Sequence, residues 1–167
     1  MKKEPIYGAH MSIAKGFPEA ARKTRQEYGA NAMQVFLKSP RGRKEREITD
    51  LEAKEFKAAC VENQIAFVVG HCSYLLNFAQ DVSQDPWTLE SLISDLKNIH
   101  RLGGAGIVLH IGKYLKIQRQ ESYEHLAKNI SRILEQTESE NNFVILENTA
   151  GQRSEEHTSE LQSRQSI

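Results

Sequence analysis

An α/β fold built on a parallel sheet is what this sequence predicts, and three observations lead there. Short apolar runs alternate with longer segments of helical periodicity in the order βαβαβαβαβ. One run, Ile65 to Val69, is apolar throughout, the pattern of a strand covered on both faces. The ligand-type residues His10, His71, His110 and Glu147 each close a predicted strand. Parallel strands need crossover connections, and the intervening helical segments supply them. Five strands and four helices fit either a doubly wound sheet or an unfinished (β/α) barrel, and pattern alone does not separate the two. A complete eight-fold barrel usually takes ~250 residues, and this chain has 167.

The elements follow in order. Ile6 to Ala9 is a brief strand-like run, and Phe17 to Tyr28 reads as a helix with Ala20, Ala21, Thr24 and Tyr28 at helical spacing. Ala32 to Leu37 is the second strand. Asp50 to Glu62 is a helix, with Asp50 as N-cap after Thr49. After the Ile65–Val69 strand, Asp85-Pro86 opens a third helix in an Asp-cap, proline-first pattern. Its apolar positions Leu89, Leu92, Ile93, Leu96 and Ile99 form one stripe, ending at Gly103-Gly104. Ile107 to Leu109 is a strand, Arg119 to Glu138 a helix, and Phe143 to Leu146 the last strand.

Composition sets bounds on function. With 39% hydrophobic and 26% charged residues the chain has material for a core. Its 22 basic and 22 acidic residues cancel, so any nucleic-acid contact must rest on a local patch rather than on bulk charge. Two cysteines, Cys60 and Cys72, and an N-terminus without a secretory pattern point to a reducing, cytoplasmic setting. No apolar stretch approaches the ~18 residues of a transmembrane helix, so a soluble protein without a membrane partner is expected. After Gln152 apolar periodicity stops. Residues 153–163 resemble the in-frame translation of a common sequencing adapter. The expected organisation is therefore one domain over 1–152 and a non-native, disordered tail over 153–167.

The chemistry lies at the strand ends. His10 follows Tyr7-Gly8-Ala9, His71 follows Val68-Val69-Gly70, His110 follows Ile107-Val108-Leu109, and Glu147 follows Val144-Ile145-Leu146. Parallel α/β proteins build their sites at this end of the sheet, and in a barrel these four side chains converge on one rim. Imidazoles with a carboxylate form a divalent-metal set that suits zinc and an open hydrolytic site. Any one of them taken alone reads as well as a hydrogen-bonded structural residue. Together they indicate a metal-dependent (β/α) enzyme, and spacing says no more.

Longer motifs say more. Gly8-Ala9-His10-Met11-Ser12, His71-Cys72-Ser73-Tyr74-Leu75-Leu76-Asn77, the His110 strand end and Glu147-Asn148-Thr149-Ala150-Gly151-Gln152 occur in order over residues 6–152. This ordered set resembles the endonuclease IV family, zinc-dependent nucleases that cut DNA on the 5′ side of abasic sites. The resemblance implies a (β/α)8 TIM barrel, of which this chain would hold the first five strands, and a cluster of three zinc ions. His71, His110 and Glu147 match metal ligands, with Glu147 bridging two ions and so serving as the candidate catalytic carboxylate. His10 matches a site position without an assigned ligand role. Arg41, in the basic loop Lys38 to Arg46, matches a residue that enters the DNA stack, and Lys38 is a candidate phosphate contact of the same loop. Tyr74 and Leu75 match residues that wedge into the duplex. The implied partner is double-stranded DNA containing abasic sites, the full-length form is expected to be a monomer, and the remaining ligands are expected on strands absent here. The chain as written is accordingly expected to hold fewer zinc ions or none and to be inactive.

The sequence departs from the family pattern in two places. Cys72 stands where the family usually has Asp, and Ile111-Gly112-Lys113-Tyr114 follows the fourth strand where Pro and a second His are common. His100 and His125 fall in helical patterns and read as surface or cap residues, while His157 belongs to the tail. The rival reading is a sugar isomerase or epimerase of the xylose-isomerase-like barrels, which also place His and Glu at strand ends but have no use for the basic loop or the Tyr74-Leu75 step.

Overall fold

The structure, a computed structural model, describes residues 4–137 and 143–148. The elements run β1 (Gly8–Met11), α1 (Phe17–Gln26), β2 (Ala32–Phe36), α2 (Asp50–Glu62), β3 (Phe67–His71), α3 (Trp87–Arg101), β4 (Gly106–His110), α4 (Arg119–Thr137) and β5 (Phe143–Glu147). All neighbouring strands are parallel, and the sheet order is β1-β2-β3-β4-β5. A doubly wound sheet reverses its strand order at a switch point, whereas this order never reverses. With crossovers of one hand, all the helices then lie on one side of the sheet. The architecture is a partial (β/α)8 barrel.

Side-chain alternation sorts the strands into two faces. Met11, Val35, Gly70, Ile107 and Val144 stand opposite one another across the whole sheet. Met11, Val35 and Ile107 belong to the buried core, joined there by Phe17 from α1, Phe56 from α2, Leu92 and Leu96 from α3, and Ile133 from α4, with Val144 packed against it. Gly70 makes room in this row for Ile107, whose Cδ1 lies 2.4 Å from where a Cβ at residue 70 would sit. The opposite, concave face carries His10 and Gln34 in one row, Phe36, His71, Val108 and Ile145 in the next, and His110 with Glu147 beyond.

Several boundaries differ from the sequence expectation. β1 and β3 each begin two residues later than their apolar runs, at Gly8 and Phe67. Asn31 occupies the chain at both starts: its Oδ1 accepts from Tyr7 N–H at 3.0 Å and its carbonyl from Ala66 N–H at 2.7 Å. The N-cap of α2 is Thr49, not Asp50; Thr49 Oγ1 accepts from Glu52 N–H while the Glu52 carboxylate accepts from Thr49 N–H, a capping box. Asp85 does not cap α3, because its carboxylate is engaged by both guanidinium nitrogens of Arg43 at 2.9 and 2.7 Å, and the helix starts at Trp87 with Pro86 as cap. α1 stops at Gln26, which leaves Tyr28 exposed while Ala20, Ala21 and Thr24 are buried. No helix among the described residues is long and apolar enough to cross a membrane. The boundary at residue 152, Thr149 to Gln152, the tail and His157 lie outside the described residues.

Candidate metal centre

His71, His110 and Glu147 are the last residues of β3, β4 and β5, all on the concave face. Their ligand-type atoms lie within 4.8 Å of one another. Glu147 Oε2 is 3.4 Å from His71 Nε2 and 3.7 Å from His110 Nε2, and the two imidazole rings meet edge to face at 4.9 Å. His71 is buried, His110 half-buried and Glu147 exposed, so the group opens toward solvent at the carboxylate. This is the sole cluster of three potential metal-ligating side chains among the described residues.

The hydrogen bonding of His71 bears on what the group can hold. Its Nδ1 is 2.8 Å from the Cys72 carbonyl, an acceptor only, so Nδ1 carries a proton and Nε2 is the ring nitrogen turned toward the Glu147 carboxylate. His110 is pushed below the ordinary imidazole value of 6.5, first by burial and then by the nearby His71, against the pull of Glu147. A neutral His110 offers a lone pair. Two imidazoles and one carboxylate with an open fourth side form the donor set of a hydrolytic zinc site, so the residues present fit the ion.

His10 lies outside this group. It sits one row below His71, its ring 6.1 Å from that of His71, and its Nδ1 accepts from the Gln34 side-chain amide at 2.9 Å. Burial first, then His71, lowers its pKa from 6.5. It lines a cleft of ≈ 730 Å³ between the loops after β1 and β2, together with Phe36, Pro40 and Lys44.

The rim is assembled from the loops after β2, β3 and β4. The Pro40 carbonyl accepts from Tyr74 N–H at 3.0 Å and from Ser73 Oγ–H at 2.9 Å, which sets Arg41 beside the Tyr74-Leu75 step. Tyr74 and Leu75 are 51% and 47% exposed, and the Tyr74 ring lies against those of Phe36, His71 and His110. Asn77 clamps the next loop: its Oδ1 accepts from Lys113 N–H and its Nδ2 donates to the Lys113 carbonyl, both at 2.9 Å. Neither the Asn77 clamp nor the contacts of Gln34 and Phe36 were singled out from the sequence. The one available signal was parity, since Phe36 and Gln34 fall on the same strand face as the histidines.

The basic loop needs correction. Lys38, expected to reach phosphate, is buried, its ammonium 2.7 Å from Glu45 Oε2, 3.1 Å from Asp95 Oδ1 and 2.7 Å from Ser91 Oγ. Arg43 pairs with Asp85 and lies over the Trp87 ring at 4.5 Å, and Arg46 pairs with Glu52. Arg41 and Lys44 are exposed and have no acidic partner among the described residues. Cys72 is 2% exposed; burial first and then Asp95 push its thiol up to about 12, which favours the protonated, unreactive form. His125 pairs with Glu121 on the surface of α4, and His100 is exposed on α3.

The family described as xylose isomerase-like TIM barrel matches residues 23–163. This chain belongs to that family. Within this TIM-barrel family it is similar to "Probable endonuclease 4" of Symbiobacterium thermophilum, 32% identical over 149 residues, 89% of this chain and 53% of the relative. The protein of the same name from Halorhodospira halophila is 32% identical over 152 residues, 90% of this chain and 51% of the relative. The crystal structure of endonuclease IV from Thermus thermophilus superposes with a TM-score of 0.64 at 30% identity, covering 77% of this chain and 47% of that one. A D-tagatose 3-epimerase-like protein superposes with a TM-score of 0.65 at 16% identity, covering 88% of this chain and 55% of that one, which shows the shared fold alone. The resemblance to endonuclease IV read from the motifs is thus borne out, and the chain spans about half the length of the curated relatives it matches.

Proposed function

We propose that this chain is the N-terminal part, over residues 1–152, of a zinc-dependent nuclease that hydrolyses the phosphodiester on the 5′ side of abasic sites in double-stranded DNA. The observation that carries the reading is the convergence of His71, His110 and Glu147 directly beneath the exposed Tyr74-Leu75 step. Zinc held by these residues supplies an acidified water and neutralises charge on the phosphate. The protein's own part is to hold and present. The Cys72 carbonyl fixes the tautomer of His71, and Glu147 faces both imidazoles through one oxygen. Tyr74 and Leu75 offer aromatic and apolar surface to unstacked bases, and apolar wedging of this kind offsets lost stacking by new contacts.

The activity belongs to the whole protein, because three ions need more ligands than the three side chains gathered here. Zinc-loaded whole protein is expected to nick a duplex at a single abasic residue, leaving a 3′-hydroxyl, while residues 1–167 alone leave the duplex intact. Equal cutting of an undamaged duplex would refute the lesion specificity.

Arg41 and Lys44 are the free cations of the basic loop and so the phosphate contacts of this reading. Replacing either with alanine in the whole protein should lower the slope of log affinity against log salt by about 1. Arg43→Ala should leave that slope unchanged, since Asp85 already neutralises this guanidinium. A slope that drops for Arg43→Ala and not for Arg41→Ala would count against the assignment.

A further inference from the structure

Phe36 is half-buried on the concave face and is not part of the hydrophobic core. Its neighbours are rings: His10 at 4.4 Å, His71 at 5.1 Å and Tyr74 at 5.3 Å between centroids. It stands directly opposite His71 in the β2–β3 register. Among the described residues its ring contacts are candidate site groups rather than core side chains.

His71 shows what such a ring can do. One hydrogen bond, from Nδ1 to the Cys72 carbonyl, sets the tilt of the imidazole, and ring contacts must hold it there. Phe36 meets the imidazole edge-on at 63° and Tyr74 meets it at 61°, and the two also touch each other at 5.3 Å, so the three rings form one triangular cluster. The Phe36 corner of this cluster is itself anchored. After Phe36, Leu37 is fully buried and Lys38 is tied to Glu45, Asp95 and Ser91, which leaves the end of β2 no room to shift. A site group is held in place when its supports are themselves locked by packing and hydrogen bonds.

We propose that Phe36 is a positioning residue that orients the His71 imidazole for metal binding and seats Tyr74 against it, linking the candidate metal centre to the DNA-facing step. The inference rests on the metal reading of His71, His110 and Glu147. Loss of the ring, with apolar bulk retained, frees His71 to rotate and unseats Tyr74 together with it.

Zinc uptake by the 167-residue chain, measured in competition with a chromogenic chelator, tests this. Phe36→Leu should weaken uptake by ~10-fold, as loss of a partner one shell out from the metal does, and Phe36→Tyr should restore it. Thermal melting of Phe36→Leu and of a second variant, Phe36→Met, identifies one that retains the wild-type fold, and the affinity is read on that variant. The imidazole NMR signals of His71 should move from the single Nδ1–H form toward mixed tautomers in the same variant. His71→Ala separates the two levels. If His71→Ala binds zinc like the wild type, the metal reading fails and the proposal with it. If His71→Ala loses zinc while Phe36→Leu keeps wild-type affinity and tautomer, the positioning role alone is refuted.

Discussion

Glu147→Gln is expected to strip zinc from the chain. Oε2 of Glu147 is the one atom shared between His71 and His110, at 3.4 and 3.7 Å, and it carries the only negative charge of the group. The amide keeps the size of the side chain and removes that charge. Loss of a partner one shell out costs ~10–100-fold in metal affinity, and loss of a ligand itself should exceed this. Competitive titration at neutral to mildly alkaline pH measures it, and an affinity equal to that of the wild type would end the metal assignment. The pH dependence has a definite sign. His110 is held below its ordinary value of 6.5, so its neutral, metal-binding form persists to lower pH than in an unfolded chain. Proton competition at His110 should therefore set in at a lower pH than at an unperturbed imidazole, as a proton takes the lone pair.

Lys38→Met should be among the most destabilising single substitutions in the molecule. Among the described residues, the Lys38 ammonium is the one cation paired with Asp95, which is 1% exposed and whose carboxylate oxygens have no other hydrogen-bonding partner. Removing one member of a buried ion pair costs about 3–5 kcal/mol, because the other charge is left uncompensated. Burial pushes the Asp95 carboxyl up from 3.8 to about 7, outweighing the attraction of Lys38. A carboxyl raised on folding binds more protons in the native state than in the unfolded one, so its contribution is full below pH 3.8 and is lost as the pH rises through about 7. The defect of Lys38→Met should accordingly be larger on the alkaline side of that value than on the acidic side, where Asp95 takes up a proton and needs no counter-charge. Adding Asp95→Leu should recover most of the lost stability, since a buried pair replaced by apolar side chains is often neutral. Chemical denaturation of the two variants on both sides of neutrality checks this, and a defect independent of pH would mean that Asp95 is not its source.

This cluster also shows how the sequence misleads about the basic loop. Lys38 to Arg46 reads as a set of cations gathered for a polyanion. Folding neutralises Lys38, Arg43 and Arg46 with Glu45, Asp95, Asp85 and Glu52, and two of these acids lie on distant parts of the chain. No local pattern announces such pairs, because an acidic residue on a helix looks the same in sequence whether it faces water or a buried ammonium. Arg41, Tyr74 and Leu75 are exposed, and Phe36 carries no signal in sequence, because one aromatic residue in a strand is ordinary core material by pattern.

What the sequence determined by itself was the succession of strands and helices, and the placing of His71, His110 and Glu147 at strand ends. Apolar periodicity is local, and a parallel strand's last residue is the same residue however the strands are ordered. Tertiary structure decided the rest. The strand order, never reversing, separated a barrel from a doubly wound sheet. The register set His110 and Glu147 in one row and His71 in the row beneath, and left His10 a further row down, 6.1 Å from His71 between ring centres. Order and register depend on how whole strands pair over long separations, and a pattern within one segment carries no record of that choice.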